Sequence, residues 1–113
     1  MITMLDPQTQ ALYARTAEII KAIAHPHRVA VIDFLRDGEK CVQEIADHLG
    51  AERSNVSRHL AVMLKAGALR SRKDGLMVFY ALRTPCVANF LNCAMQTLKH
   101  NVDEESQVLS QVY

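Results

Sequence analysis

Residues 42–66 read VQEIADHLGAERSNVSRHLAVMLKA, and this stretch decides the fold. The apolar spacing predicts a short helix that ends at Leu49-Gly50, where the glycine acts as a helix stop. A second helix is predicted over roughly Arg53 to Ala66, after the tight connection Gly50-Ala51-Glu52. Two helices joined by so short a turn have the spacing of a helix-turn-helix.

The second of these helices has two unlike faces. Val56, Leu60 and Leu64 recur at the spacing of a buried stripe. A helix fits the major groove of B-DNA, and its first turns then present side chains to the base edges. The side chains that we expect on this DNA-facing side are small polar or basic ones: Arg53, Ser54, Asn55, Ser57, Arg58 and His59.

Upstream of this pair, apolar spacing predicts a helix from Pro7 to Ile23. Pro26 is suited to the first position of a further helix, which is predicted to run to about Arg36. His25, just before it, is a candidate cap.

Downstream, two candidate strands, 69–73 and 77–82, flank the hairpin pair Asp74-Gly75. A last helix is predicted from Pro85 to about His100. The predicted fold is therefore mainly α, a dimeric winged helix-turn-helix with five helices and a small β-hairpin wing. One domain is predicted over residues 1–100, and residues 101–113 are predicted to form an acidic, flexible C-terminal tail.

Charge is segregated along the chain, although the net charge of the 113 residues is only +1. From Arg53 to Lys73 there are six basic residues and no acidic one, whereas the rest of the chain carries seven basic and twelve acidic residues. Such a segment is typical of polyanion binding, with a solvated surface face as the alternative on charge alone. Arg72 and Lys73 are predicted to contact phosphates. Because aromatic residues make up only 5% of the chain, double-stranded DNA fits better than stacked single strands.

Other classes of protein lack support in the sequence. No apolar run approaches the length of a membrane span, and the first residues do not resemble a secretory signal. The odd count of three cysteines excludes a closed set of intramolecular disulfides, so we expect reduced thiols and a cytoplasmic protein. A glycine-rich phosphate loop and a metal-hydrolase helix are absent, so we do not expect an enzyme.

Several motifs resemble those of the arsenical-resistance-type (ArsR/SmtB) winged-helix repressors. The resemblance covers roughly residues 12–100 and is carried by Ile23–Arg28, Val42–Gly50, Val56–Leu60, Lys65–Gly67, Arg70–Gly75 and Val78–Leu82. It implies a homodimer, joined through the first and last helices, that represses an operator and releases it when an inducer binds. Two residues depart from the pattern. Glu52 stands where relatives often have Ser or Thr, and Arg53 stands where they often have Gln, which favours guanine over adenine.

The metal sites that the resemblance implies are incomplete in this sequence. The third-helix arsenic motif Cys-Val-Cys is Cys41-Val42-Gln43 here, and no Cys or His precedes His25 to complete the third-helix zinc or cadmium site. The last-helix zinc site falls on Thr84, Cys86, Thr97 and His100, which do not make a zinc-binding set.

Three candidate thiol ligands remain: Cys41, Cys86 and Cys93. Cys41 takes an N-cap position, with Glu44 placed for a capping box, and the helix dipole there favours the thiolate. Cys86 and Cys93 lie about 10 Å apart along one helix, too far for one ion, but they could meet across an antiparallel dimer. Thiolates select soft ions such as As(III), Sb(III), Cu(I) or Cd(II). Packing of Cys93 in the core is the alternative.

The predicted function is thus a homodimeric repressor that binds an inverted-repeat operator. Its inducer is predicted to be a thiophilic metalloid or metal such as As(III), and DNA binding is predicted to need no cofactor. A redox- or persulfide-responsive repressor, a member without a metal inducer, and an architectural winged helix are the alternatives. The polar, base-sized side chains from Arg53 to His59 count against the architectural reading.

Overall fold

A computed structural model describes the backbone of residues 6–112 and the side chains of residues 6–102. Within the described residues, the chain forms five α-helices and a three-stranded antiparallel sheet. The elements in chain order are α1 (Pro7–Ile23), α2 (Pro26–Phe34), a 3₁₀ turn (Leu35–Asp37), β1 (Lys40–Cys41), α3 (Val42–Leu49), α4 (Arg53–Ala66), β2 (Leu69–Asp74), β3 (Met77–Leu82) and α5 (Cys86–Val112).

The helix-turn-helix consists of α3 and α4, as predicted. Gly50 ends α3 at a φ of 63°, a left-handed conformation that glycine adopts without a steric penalty. At the start of α3 the Cys41 N–H donates to Glu44 Oε1 at 3.0 Å, which forms the predicted link of the capping box. This hydrogen bond is the main reason that the pKa of Glu44 lies below its ordinary value. Glu52 precedes α4 but makes no capping hydrogen bond with its side chain.

The wing is the hairpin of β2 and β3, which pair from Leu69 with Leu82 to Asp74 with Met77. Strand β1 pairs with the other edge of β3, with Lys40 opposite Tyr80 and Cys41 opposite Phe79. The sequence analysis did not predict β1, because two residues are too few to show an alternating pattern. This strand connects the wing to the start of α3.

The core lies where the helices meet the base of the wing. Its largest fully buried side chains are Ile32, Ile45, Leu60, Met63, Leu69, Val31 and Val56. Met63 belongs to this core, whereas Met77 is 48% exposed at the start of β3, next to the fully exposed Leu76.

Apolar residues of the first and last helices remain exposed in the single chain. Leu12, Tyr13 and Ile20 of α1 and Phe90 and Leu98 of α5 are each more than half exposed. These side chains are available for packing against a second chain.

The last helix is longer than predicted. It begins at Cys86, directly after Pro85, and continues past His100 to Val112. The predicted end near His100 is wrong, because residues 101–112 contain no glycine or proline to stop the helix. The predicted flexibility of residues 101–113 stays a prediction. The side chains of the acidic stretch from Asp103 lie outside the described residues. None of the described helices is long and apolar enough to cross a membrane.

Candidate nucleic-acid interface and thiol sites

The outer face of α4 carries five of its six predicted DNA-contacting residues in exposed positions: Arg53, Ser54, Asn55, Ser57 and Arg58. Val56 and Leu60 on the opposite face are fully buried, so the core holds the helix in place. The Arg58 guanidinium donates from Nη2 to Asn55 Oδ1 at 2.7 Å. This contact extends Arg58 along the exposed face, where its remaining N–H groups can donate to base or phosphate acceptors.

His59, the sixth predicted residue, is only partly exposed and lies in a cluster with residues from the start of α2. Its ring centroid lies 4.6 Å from that of His25 and 5.3 Å from that of His27. The Arg28 Nε–H donates to His59 Nδ1 at 3.1 Å. Burial, followed by the positive charges of His25 and Arg28, holds the pKa of His59 below its ordinary value.

The beginning of α2 is fixed by His25, as predicted. Its Nδ1 accepts a hydrogen bond from the His27 N–H at 3.0 Å, in the manner of an N-cap. The sequence analysis treated the histidines one at a time and missed the cluster. The only available signal was the concentration of imidazoles and Arg28 around Pro26, because His59 is 31 residues away from Arg28.

The wing exposes Arg70, Arg72 and Lys73 on β2, of which the sequence analysis predicted the last two as phosphate contacts. The Arg72 guanidinium already has partners in the free chain: it binds both carboxylate oxygens of Glu39 and lies 3.6 Å from an oxygen of Asp74. It also lies over the ring of Phe79, 4.7 Å from the centroid. Sequence analysis missed Glu39, which lies 33 residues before Arg72 in the chain.

The three cysteines lie in unlike surroundings. Cys41 is 6% exposed and lines a cavity of about 310 Å³ beside the wing, together with Arg53 and Leu76. Cys86 and Cys93 are exposed free thiols on α5. In the part of the chain that the structure describes, no three His, Cys, Asp or Glu side chains are grouped so that they could hold a metal ion. A single chain therefore does not bring the three predicted thiol ligands together.

Comparison with protein families gives a match to bacterial regulatory proteins of the arsR family over residues 25–71. Among curated sequences, the chain is 31% identical over 103 residues to the uncharacterized HTH-type transcriptional regulator Rv0081 of Mycobacterium tuberculosis, covering 90% of each chain. It is 32% identical over 79 residues to a probable mercury resistance operon repressor of Streptomyces lividans, covering 70% of this chain and 63% of that protein.

Solved structures give the same fold. The crystal structure of Rv0081 matches with a TM-score of 0.67 at 31% identity, over 90% of this chain and 99% of that one. The homodimeric winged helix-turn-helix DNA-binding domain of Mb0332 from Mycobacterium bovis matches with a TM-score of 0.74 at 22% identity, over 90% and 94% of the two chains. The predicted winged helix-turn-helix is confirmed. The curated relatives are transcriptional regulators, a class of DNA-binding proteins that are not enzymes.

Proposed function

The chain belongs to the ArsR family of bacterial transcriptional regulators, and from this premise we propose that it is a homodimeric repressor of an inverted-repeat operator. The observation that carries the proposal is the pairing of an exposed polar and basic face on α4 with a basic wing, both fixed to one core. The α4 helix enters the major groove of double-stranded DNA, with Arg53 and Arg58 nearest the base edges. Lys73, and Arg72 once it reaches DNA, contact backbone phosphates from the wing.

The dimer forms through α1 and α5. Their exposed apolar side chains are too numerous for a free helix surface, and Phe90 alone is 69% exposed. A twofold dimer of this fold places its two α4 helices about 34 Å apart, one turn of DNA, which accounts for an inverted-repeat operator. No cofactor is needed for this binding, and the protein acts in the cytoplasm.

The inducer that we propose is a thiophilic metalloid or metal such as As(III) or Sb(III), held between subunits by Cys86 of one chain and Cys93 of the other. Both thiols are exposed on α5, the helix that carries Phe90 and Leu98. A similar protein is named as a probable mercury resistance operon repressor, which supports a soft, thiolate-binding inducer. Cys41 is the weakest of the three candidate ligands, because it is buried beside the wing.

DNA is released if the bridge changes how the two α5 helices pack. The two α4 helices then no longer have the separation of about 34 Å that matches one turn of DNA. The inducer acts by preferring the dimer that does not bind DNA. A preference of about 5.5 kcal/mol would shift the population from 1:99 to 99:1.

The alternative is a repressor that responds to oxidation or persulfidation of the same exposed thiols, with no metal inducer. The two mechanisms differ in chemistry. A metalloid acts on the fully reduced protein and is removed by an excess of dithiol chelator, whereas an oxidant acts without metal and leaves a change in mass.

The test is a titration of the reduced protein, bound to DNA from upstream of its own gene, with arsenite and separately with a persulfide donor. We expect Cys86→Ser and Cys93→Ser to abolish release while leaving DNA binding intact. The matched control is Cys41→Ser, which removes a thiol away from α5. If both α5 variants release DNA as the parent does, the proposed sensor site is wrong, while the repressor function stands on the DNA binding itself.

A further inference from the structure

A cavity of about 550 Å³ lies between the start of α2 and the outer side of α4. Most of the polar side chains around it are cations or imidazoles, and the described part of its lining contains no carboxylate. The lining consists of His25, His27, Arg28, Asn55, Arg58, His59, Ala61 and Val62.

The hydrogen bonds around this cavity fix which imidazole nitrogens can donate. His59 Nδ1 accepts from Arg28, and His25 Nδ1 accepts from the His27 N–H. In each neutral ring the proton must then reside on Nε2, which makes Nε2–H a donor. His27 Nδ1 is buried and has no hydrogen-bond partner. The hydrogen-bonding capacity of this nitrogen is unused in the free chain.

The electrostatics of the cluster favour an anion. The three imidazole centroids lie between 4.6 and 5.5 Å apart, and His25 and His27 are among the groups that lower the pKa of His59. Arg28 and Arg58 add positive charge, and both contribute to the lowered pKa of His59. On the α1 side, Glu18 and Lys21 line a neighbouring cavity with Arg28, and they bring one charge of each sign. A bound anion would accept hydrogen bonds from the Nε2–H groups of His25 and His59 and from the two guanidinium groups.

We propose that this cavity binds a phosphate group through His25, His27, Arg28, Arg58 and His59, and that the phosphate belongs to the backbone of the operator. A metal ion fits poorly, because Nδ1 of His25 and Nδ1 of His59 already accept hydrogen bonds. The DNA backbone is the favoured source because Asn55 and Arg58 of this cavity belong to the exposed face of α4 proposed to enter the major groove. The nine-residue helix α2 also begins here, with its positive dipole end at the cavity. This inference rests on the proposed function.

Proton uptake on DNA binding follows from the proposal. Phosphate favours the protonated form of His59, in which Nδ1 carries a hydrogen and gives up the hydrogen bond from Arg28, so that the Arg28 guanidinium donates to the phosphate instead. In the free protein the pKa of His59 is below its ordinary value of 6.5, chiefly because the ring is partly buried. At a pH between the pKa of His59 in the free protein and its higher pKa beside the phosphate, DNA binding takes up a proton. The affinity for DNA therefore rises as the pH falls through this range. Each proton taken up strengthens binding by up to about tenfold per pH unit.

The first experiment measures binding of the full chain to a duplex from upstream of its own gene, at about pH 7.5 and about pH 6, at constant ionic strength. We expect the parent to bind about threefold or more tightly at the lower pH. His59→Gln should reduce this pH effect by half or more. His48→Gln is the matched control: it removes a histidine that stacks on Phe34, outside the cavity, and should keep the parent response. Equal pH dependence in all three proteins would overturn the proposal.

The second experiment needs no variant and follows the imidazole proton resonances of the parent by NMR. Addition of the duplex should shift the signals of His25, His27 and His59 but leave His48 unchanged. Inorganic phosphate, compared with chloride at equal ionic strength, tests the other source of the same chemistry. If phosphate shifts the three signals and the duplex does not, the occupant is a free phosphate and the assignment to DNA is overturned. If the duplex does not bind at any pH, the proposed repressor function fails with it, and the response to phosphate still reports on the cavity.

Discussion

Arg72 of the wing donates from Nε to both carboxylate oxygens of Glu39, at 3.0 Å to Oε1 and 2.9 Å to Oε2. Glu39 comes just before β1, and Arg72 lies in β2, so the ion pair joins the two edges of the three-stranded sheet. The hydrogen bond lowers the pKa of Glu39 and raises the pKa of Arg72. Arg72 is predicted to contact a DNA phosphate, but in the free protein it is bound to a carboxylate of its own chain.

This ion pair makes Glu39 a competitor of the DNA backbone. Glu39→Gln should strengthen binding to any duplex and steepen the dependence of log affinity on log salt by up to about one unit. Asp33→Asn is the control, because it removes an equal charge from an exposed ion pair with Arg36, outside the wing. The measurement is fluorescence anisotropy over a series of salt concentrations. An unchanged salt slope in Glu39→Gln would show that Arg72 does not reach phosphate.

The recognition face of α4 should determine which sequences bind. Arg53→Ala and Arg58→Ala should each cost about 1–3 kcal/mol of operator binding and relax the preference at one base position. Lys65→Ala is the control, since Lys65 lies in the last turn of α4 and should affect binding to all duplexes alike. The measurement is the affinity of each variant for the operator and for operators with a single base changed. If Arg58→Ala keeps every base preference, Arg58 contacts only the backbone.

The elements of the fold were largely predictable because prolines and glycines mark their ends. The bounds of α1 and α4 agree with the prediction, since Pro7 begins the first and Gly67 follows the second. The hairpin was predictable from Asp74-Gly75, and Gly75 adopts a φ of 63° there. At the end of α5 no such marker exists, and there the prediction failed.

The contacts that shape the site were not predictable from local patterns. The pairs Arg72 with Glu39 and Arg28 with His59 join residues 33 and 31 positions apart, and no periodicity encodes such a pairing. Only the folded chain, in which α2 packs beside α4 and β1 beside β3, brings them together. The exposed side of α4 was predictable, because its buried stripe leaves the remaining residues facing outwards.

The exposed apolar side chains of α5 should hold the dimer together. Phe90→Glu should convert the protein to a monomer at micromolar concentration and weaken operator binding, because a charge in an apolar interface lacks a partner. Leu76→Glu is the matched control: Leu76 is also a large, exposed apolar residue, but it lies at the hairpin connection and not on α5. Sedimentation velocity measures the oligomeric state. A dimer that persists in Phe90→Glu would place the interface elsewhere.

The lowered pKa of His59 predicts how stability depends on pH. In the unfolded chain His59 has its ordinary pKa of 6.5, whereas in the folded chain burial and the neighbouring cations lower it. Between these two values the unfolded state binds more protons, so the free energy of unfolding decreases as pH falls below 6.5 and this loss levels off below the folded-state pKa. His59→Gln removes the titrating group and should therefore reduce the slope of the free energy of unfolding against pH. The reduction should be smaller than the slope that about one bound proton produces. His48→Gln, on α3, controls for the general effect of losing an imidazole. Chemical denaturation of the three proteins across this range gives the slopes, and a profile of His59→Gln as steep as that of the parent would show that another group titrates on unfolding.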